Sequence, residues 1–351
     1  MKHFKSSFVF TIICLIISAI WGFYSGGSSL YAGLNAVLIA SILGVLEVSL
    51  SFDNAVVNAS TLENMDDLWK RRFLTWGMII AVFGMRIVFP IAIVSIIAWL
   101  NPLDVVNMAF TSPKEYAKHL TDSHEMIAAF GGMFLMMVFL KYILDPEKEV
   151  HWIEPLEKFL IKIGKLEAFE ILISLVCLLI TQAIATPEHK LPIMISGLAG
   201  LMTFIAVDGV SSLMESSEEE SDNNSSAVTT VAKGGLATFL YLELLDASFS
   251  FDGVIGAFAI TTDIIIIACG LGIGAMFVRS LTLFLVEKGT LAEYVFLEHG
   301  AHYAIGVLAG IMLLSVKFHI PEVFTGLSGV ILIGISVWSS ILHRKKTEQE
   351  A

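Results

Sequence analysis

Charged residues and cysteines are scarce in this sequence. Only 15% of its 351 residues are charged and 56% are hydrophobic, whereas a soluble domain has about 25% and 45–50%, so a soluble globular protein is excluded. Basic residues number 21 against 33 acidic ones, which argues against a nucleic-acid-binding protein because phosphate contacts need clustered basic side chains. The three cysteines have no paired spacing, so they indicate neither a disulfide framework nor a CxxC metal site.

What the sequence has instead is a series of long apolar segments. A helix that crosses a bilayer needs about 20 mostly apolar residues. Candidate spans are residues 8–23, 34–59, 73–100, 124–144, 168–185, 191–207, 237–260, 264–284, 302–317 and 323–342. They predict an all-α, polytopic membrane helix bundle of about ten transmembrane helices. The first segment also resembles a signal peptide, but no Ala-x-Ala-like cleavage site follows it, so we interpret it as a retained helix.

The positions of the basic residues predict the orientation. Lysine and arginine concentrate near the N-terminus, at residues 70–72, at residues 148–165 and at residues 344–346. Ten spans place all four segments on one side of the membrane. Because short cytoplasmic loops are enriched in lysine and arginine, both termini are predicted to be cytoplasmic, with the protein in the plasma or inner membrane.

Two polar segments help to divide the chain. Residues 215–224 are acidic and predict a solvated cytoplasmic linker, and residues 145–165 predict an amphipathic helix that lies on the cytoplasmic face of the bilayer. The predicted parts are an N-terminal transmembrane helix (1–30), a first membrane repeat (31–145), a cytoplasmic loop with connecting transmembrane helices (146–213), the acidic linker (214–231), a second membrane repeat (232–318), and a final transmembrane helix with a basic tail (319–351).

The second and seventh spans contain the same acidic motif. Without gaps, residues 47–54 (EVSLSFDN) align with residues 246–253 (DASFSFDG), with four identities and one match of acid with acid. Further along, His124 and Gly132 have the same spacing as His302 and Gly310. The predicted orientation runs the second and seventh spans in opposite directions, so the two three-helix units are inverted repeats. Many secondary transporters are built in this way, with the substrate site near the bilayer midplane where the repeats meet.

The acidic residues of these spans are the candidate ligands. Five carboxylates, at about 2.5–3.5 kcal/mol each, oppose insertion by about 12–18 kcal/mol, so they need cations, protons or partners. Carboxylate, amide and hydroxyl oxygens are hard donors suited to Ca²⁺, Mg²⁺ or Mn²⁺. The candidate metal ligands are Glu47, Asp53, Asn54, Glu243, Asp246 and Asp252, and the candidate supporting residues are Ser51, Ser250, Arg86, Arg279, His124 and His302.

Helical geometry limits how these groups meet. Residues six apart on an α-helix point about 120° apart, so Glu47 and Asp53 cannot face one ion on a regular helix. Convergence of all the acids on one ion therefore requires the helices to unwind near residues 49–54 and 248–253. If the helices are continuous, the outer residues Asp53 and Asp252 are expected to serve a second site or to pair with Arg86 and Arg279.

At these residues the sequence resembles the TerC family of integral membrane proteins, named for tellurium resistance. Residues 47–54 fit the family's first motif, E-x-x-L-S-x-D-N, and residues 243–252 (ELLDASFSFD) fit its second, E-x-x-D-x-x-F-x-x-D-S, up to the last aspartate. The sequence departs from the family at Gly253, where serine is usual. The resemblance implies a member of the lysine-exporter superfamily, in which several TerC-like proteins are thought to export manganese or other divalent metals.

These features predict a transporter that exports a divalent cation, manganese or calcium, in exchange for protons. Clustered carboxylates raise one another's pKa, so the empty site is expected to hold protons. The sequence has no Gly-x4-Gly-Lys nucleotide-binding motif, so ATP is not expected to drive transport directly. The GLSG sequence of Gly326–Gly329 resembles a protease motif but lies in the last span, where small residues usually serve helix packing. We therefore expect no enzyme activity and no organic cofactor. The expected partners are the bilayer, the cation and further copies of the chain. The alternative is a metal-binding membrane scaffold of a tellurite- or stress-resistance complex, without transport.

Overall fold

The protein is helical throughout the part of the chain that the structure describes. This computed structural model describes residues 3–63, 65–148, 150–164, 168–219, 227–289, 293–318 and 320–350. The α-helices are α1 (Lys5–Ser25), α2 (Leu30–Leu50), α3 (Phe52–Glu63), α4 (Asp67–Arg72), α5 (Phe89–Ile97), α6 (Pro102–Thr111), α7 (Pro113–Asp122), α8 (His124–Ile143), α9 (Glu154–Gly164), α10 (Phe169–Ile184), α11 (Lys190–Glu219), α12 (Ala227–Ile260), α13 (Ile264–Lys288), α14 (Leu297–Ser315) and α15 (Glu322–Glu350).

Local sequence signals explain where several helices begin and end. The Asp263 carboxylate accepts a hydrogen bond from the backbone N–H of Ile265 at 3.0 Å, which satisfies one of the unpaired donors at the start of α13. The same helix ends at Gly289, whose φ of +60° is in the left-handed region that favours glycine. Asn101 caps α6 in the same way as Asp263 caps α13, ahead of Pro102 at its first position. These polar caps lie at the ends of the apolar segments.

Eight of the helices are long and apolar enough to cross a membrane: α1, α2, the helix Ile80–Ile97, α8, the segment Lys190–Val210 of α11, α13, α14 and the segment Phe324–Thr347 of α15. The other two predicted spans correspond to α10, which has only 16 residues, and to α12, which contains three acidic residues. Large apolar side chains such as Ile12 and Trp338 are exposed on the outside of the bundle, as expected for surfaces that contact lipid. The architecture is a multi-pass membrane helix bundle.

The third predicted span is not a regular α-helix. After α4, residues Phe73–Gly77 and Ile80–Val88 have π-helical hydrogen bonding, and α5 continues the helix to Ile97. We call Ile80–Val88 the π-segment. Stretches of π-helix are rare and often lie at functional sites. Arg86 is in the π-segment, and nothing in the sequence analysis anticipated this local geometry.

The two motif helices meet inside the bundle. Helices α2 and α3 contact α12, α13 and α14, while α12 contacts the π-segment and α8. Helices α8 and α14 also pack against each other, and α13 packs against the π-segment. The second span therefore contacts the eighth and ninth spans, and the seventh contacts the third and fourth. Each motif helix thus lies against the two helices that follow the other motif.

The motif helices themselves differ from each other. The first is interrupted at Ser51, between α2 and α3, although hydrogen bonds from the Ser51 N–H to the Glu47 carbonyl and from the Ala55 N–H to the Ser51 carbonyl cross the interruption. The second is continuous through residues 248–253 as part of α12, so the unwinding required for all the acids to converge on one ion does not occur there. The acidic segment is partly helical, since α11 extends through Glu219, and its residues 220–226 lie outside the described chain.

Candidate functional site

A buried arginine joins the two acidic motifs. The Arg86 guanidinium donates through Nη2 to Glu47 Oε1 on α2 and through Nη1 to Asp246 Oδ2 on α12 at 3.4 Å. Nη1 also donates to the Ala81 carbonyl at 2.6 Å. Both Arg86 and Glu47 are almost fully buried. Because an uncompensated buried charge is costly, this ion pair is the electrostatic centre of the site.

Polar side chains of the first motif support this centre. The Asn54 amide donates through Nδ2 to Asp246 Oδ1 at 2.7 Å, so Asp246 is held by α3 and by the π-segment together. The Ser51 hydroxyl donates to Glu47 Oε1 at 3.4 Å. Asn54 and Ser51, both candidate site residues, thus each donate to a carboxylate of the two motifs.

Glu243 is the acid of this centre that has no partner among the described residues. It is only 7% exposed, and neither Oε1 nor Oε2 has a hydrogen-bond partner there. It lines a cavity of about 40 Å³ together with Asn58, Asp246, Arg86 and Arg279. A water needs roughly 10–15 Å³ of such volume, so the cavity has room for a small ion with water. Buried carboxylate oxygens without partners next to a cavity indicate a binding site.

Glycines create the space that the carboxylates occupy. A Cβ at Gly77 would lie 2.7 Å from Glu243 Oε1, and one at Gly253 would lie 2.6 Å from Glu47 Oε2. A Cβ at Gly274 on α13 would collide with Cβ and Cγ of Glu47. A larger residue at Gly253 would therefore press against the Glu47 carboxylate.

The two sides of the acidic centre differ. The cavity lies toward the end of the bundle that carries Lys70–Arg72, because its walls come from Phe73, Gly77 and the later part of α13. On the opposite side a cluster of buried apolar residues contains Leu43, Val254 and Leu271. Residues of α6 and α7, such as Val105 and Tyr116, complete this cluster. The cavity therefore lies on one side of the acidic centre, and the apolar cluster lies on the other.

The remaining predicted residues have other surroundings. Asp53 is buried and accepts a hydrogen bond from the Asn54 backbone N–H at 3.0 Å, and its carboxylate lies near Gly329 of α15. Arg279 donates to the sulfur of Met78, and Ser250 is buried. Of the two alternatives for the outer aspartates, a second site or pairing with the arginines, Asp53 does not pair with Arg86, which binds Glu47 and Asp246. The Asp252 side chain lies outside the described part.

The described acids are not arranged as a ready metal site. Among the described side chains, no group of three or more His, Cys, Asp or Glu residues could hold a metal ion. Instead, the Arg86 guanidinium lies between Glu47 and Asp246 and bonds to both carboxylates. The structure therefore brings four of the six candidate ligands together around an arginine: Glu47, Asn54, Glu243 and Asp246.

Comparison with known families places most of the chain in one group. The sequence profile of a family described as a protein of unknown function, DUF475, matches residues 52–347. The chain belongs to the DUF475 family. No curated protein and no solved structure matches it. The matched segment begins just after Ser51, so in this DUF475 protein it contains Arg86, Glu243 and Asp246, whereas Glu47 precedes it.

The predicted histidines of the DUF475 protein lie away from the acidic centre. His124 begins α8, at the opposite end of that helix from Tyr142. His302 stacks on the Tyr142 ring with the centroids 3.6 Å apart, and its Nδ1 lies 2.9 Å from the Glu298 carbonyl oxygen. His302 thus belongs to a second polar cluster, around Glu157 of α9.

Glu157 fastens the predicted amphipathic helix to the bundle. Its fully buried carboxylate lies 2.9 Å from Lys148 Nζ and accepts hydrogen bonds from the Ile153 backbone N–H at 3.1 Å and from the Tyr303 hydroxyl of α14 at 3.2 Å. Burial favours the neutral acid, but the Lys148 ammonium and the Ile153 N–H outweigh it and hold the pKa of Glu157 below its ordinary value. Sequence patterns suggested the helix but not this attachment.

A lowered pKa makes this attachment sensitive to acid. The stabilisation by ionised Glu157 is complete above its unfolded pKa of about 4.3 and is lost as the pH falls through the lower folded value. We expect the thermal midpoint to fall less between pH 6 and pH 3 in Glu157→Gln than in the wild type. Glu154→Gln, an exposed acid of the same helix, is the control and should behave like the wild type. Equal pH dependence in Glu157→Gln and the wild type would contradict the prediction.

Proposed function

We propose that this DUF475 protein is a membrane transporter that exports a divalent cation, manganese in preference to calcium, in exchange for protons. The observation that carries the proposal is Glu243, a buried carboxylate whose two oxygens have no partner among the described residues and which lines a cavity shared with Asp246. Ionisable residues inside membrane segments are costly and commonly mark ion pathways.

The charge and chemistry of the site favour a cation. Glu47 and Asp246 bind the Arg86 guanidinium, and Glu243 lines the cavity with Asp246, Arg86 and Arg279. The three acids of this centre outnumber its two arginines. Asn54 and Asn58 add amide oxygens that have no hydrogen-bond partner in the described chain. Carboxylate and amide oxygens are the ligands that Mn²⁺ and Ca²⁺ prefer, while an oxyanion would be repelled.

The packing of the two motif helices supports transport by alternating access. Helix α2 contacts α13 and α3 contacts α14, just as α12 contacts the π-segment and α8. A pseudo-twofold axis between two inverted triplets of helices would produce this pairing. The positive-inside rule favours a cytoplasmic position for the Lys70–Arg72 end, so a cavity on that side of the acidic centre would correspond to an inward-facing state. The apolar cluster of Leu43, Val254 and Leu271 would then close the outward path.

Exchange with protons follows from Glu243. A carboxylate in a low-dielectric position is costly to keep ionised without a partner, so Glu243 is the group that would carry a proton when no cation is bound. A cation that enters the cavity would displace this proton. Release of the cation on the other side would allow Glu243 to take up a proton there, which couples the two fluxes without a separate pathway.

Transport by purified protein tests the proposal. In inside-out vesicles with an acidic lumen, we expect Mn²⁺ uptake that stops on addition of a protonophore. Glu243→Gln and Asp246→Asn should reduce uptake at least tenfold, whereas Glu298→Gln, an acid outside the centre that binds the Ser60 hydroxyl, should retain it. Thermal shifts with Mn²⁺, Ca²⁺, Mg²⁺ and Zn²⁺ would rank the cations.

The same measurements separate transport from a scaffold function. A scaffold would bind the cation, with the same sensitivity to Glu243→Gln, but would move none across the vesicle membrane. Uptake that does not respond to the pH gradient would indicate a uniporter instead of an exchanger. Absence of both binding and uptake for all four cations would overturn the proposal.

A further inference from the structure

Arg86 lies between the carboxylates of the two motifs, where the electrostatic attraction for a bound cation would be strongest. It lies within bonding distance of Glu47 from one motif and Asp246 from the other, and these carboxylates come from helices nearly 200 residues apart in sequence. Arginine does not lose its proton in proteins. The Arg86 guanidinium is therefore a fixed positive charge that Glu47 and Asp246 share in the empty protein, and it compensates one of their two negative charges.

A cation in the cavity would compete with this guanidinium. From the cavity it would first meet Glu243, whose oxygens have no partner in the described chain, and then Asp246, which shares the same wall. Asp246 Oδ2 already receives Arg86 Nη1, at a distance of 3.4 Å that is long for a charged pair. Since like charges repel strongly in a low-dielectric interior, a cation and the guanidinium cannot both bind this carboxylate closely.

We propose that Arg86 is a tethered competitor of the transported cation. It holds Glu47 and Asp246 while the site is empty, withdraws from Asp246 when a cation binds, and returns to expel the cation on release. Arg86 thereby lowers the affinity of the site and allows the cation to leave. This inference rests on the proposed cation transport and adds a residue that determines affinity and release.

If the ion pairs of Arg86 were purely structural, removal of Arg86 would change the cation affinity in the opposite direction. Without the arginine, a structural site would lose its organisation, and cation affinity would fall. A competitor, once removed, leaves two carboxylates free for the ligand, so affinity would rise. Mutual effects of two ligands on one another commonly amount to about 5–150-fold in binding, which is within reach of a direct titration.

The test is Mn²⁺ titration of full-length protein in detergent by calorimetry, combined with vesicle uptake. In Arg86→Gln we expect binding at least tenfold tighter and uptake at least tenfold slower, because release is impaired. Arg86→Lys keeps the charge but cannot span both carboxylates as a planar guanidinium does. It should therefore tighten binding by a smaller factor, about threefold, and it keeps the test valid if Arg86→Gln does not fold. Arg71→Gln, which removes an exposed arginine of α4, is the control and should leave the affinity unchanged.

The outcomes are distinguishable from a failure of the proposed function. If the wild type and the variants bind no cation, the proposed transport is overturned together with the role of Arg86. If the wild type binds Mn²⁺ and either Arg86 variant that folds binds it equally or more weakly, the competitor is overturned and cation transport stands. Tighter binding with unchanged uptake would also contradict a role in release.

Discussion

Glu47→Gln is expected to lower the free energy of unfolding by about 3 kcal/mol, the lower end of the range for breaking a buried ion pair. Glutamine preserves the size of the side chain, so the loss isolates the charge. Arg86 would then rely on Asp246 at 3.4 Å and the Ala81 carbonyl for compensation. Because these two partners remain, we expect the loss of stability to stay below the upper end of that range. Unfolding in mixed detergent micelles measures the change.

Two further variants make the Glu47 prediction specific. Glu154→Gln removes an acid from an exposed pair with Lys158 on α9, and such pairs contribute little, so its stability should match the wild type. The double variant Glu47→Gln with Arg86→Gln should recover part of the loss, since removing both charges leaves no buried ion without compensation. A Glu47→Gln protein as stable as the wild type would show that Arg86 does not depend on this pair.

Gly274→Ala should also lower the free energy of unfolding substantially, although it adds only a single methyl group. The new Cβ would collide with Cβ and Cγ of Glu47 and would lie 3.1 Å from the Gly44 carbonyl oxygen. These atoms belong to the stem of the side chain and to the backbone, so a change of rotamer cannot relieve the contact. Overpacking typically costs about 1–3 kcal/mol, and we expect the upper part of this range because Glu47 must also move away from Arg86.

Gly334→Ala is the matched control for Gly274. Gly334 is also a helical glycine, on α15, and a Cβ there would meet no described atom within 4 Å. Since alanine favours helix over glycine by about 1 kcal/mol, this variant should be neutral or more stable. Thermal unfolding of both variants in the same detergent measures the difference. Equal stability of Gly274→Ala and Gly334→Ala would contradict the close packing of α2 on α13.

The acidic motifs were predictable because of their energetic cost. Glu47 and Asp246 are conspicuous in apolar spans, and the repeat of the motif pointed to a shared site. Which basic side chain would pair with these acids was not predictable. Helical periodicity gives the face of a residue on its own helix, but the partner of Arg86 depends on how the π-segment rotates against α2 and α12. The sequence analysis therefore considered Asp53 as a partner, whereas the structure pairs Arg86 with Glu47 and Asp246.

The sequence by itself determined the features that the bilayer imposes on each segment separately. A segment such as 264–284 must form a helix because its backbone polar groups have no water to bind, and an acid in any such segment needs a proton, a cation or a partner. Only the tertiary structure decided which groups become partners. Gly274 is required because Glu47 packs against it, and Glu157 is bound by the Tyr303 hydroxyl. These contacts join residues far apart in the chain, and their energies depend on distances between helices that no local pattern specifies.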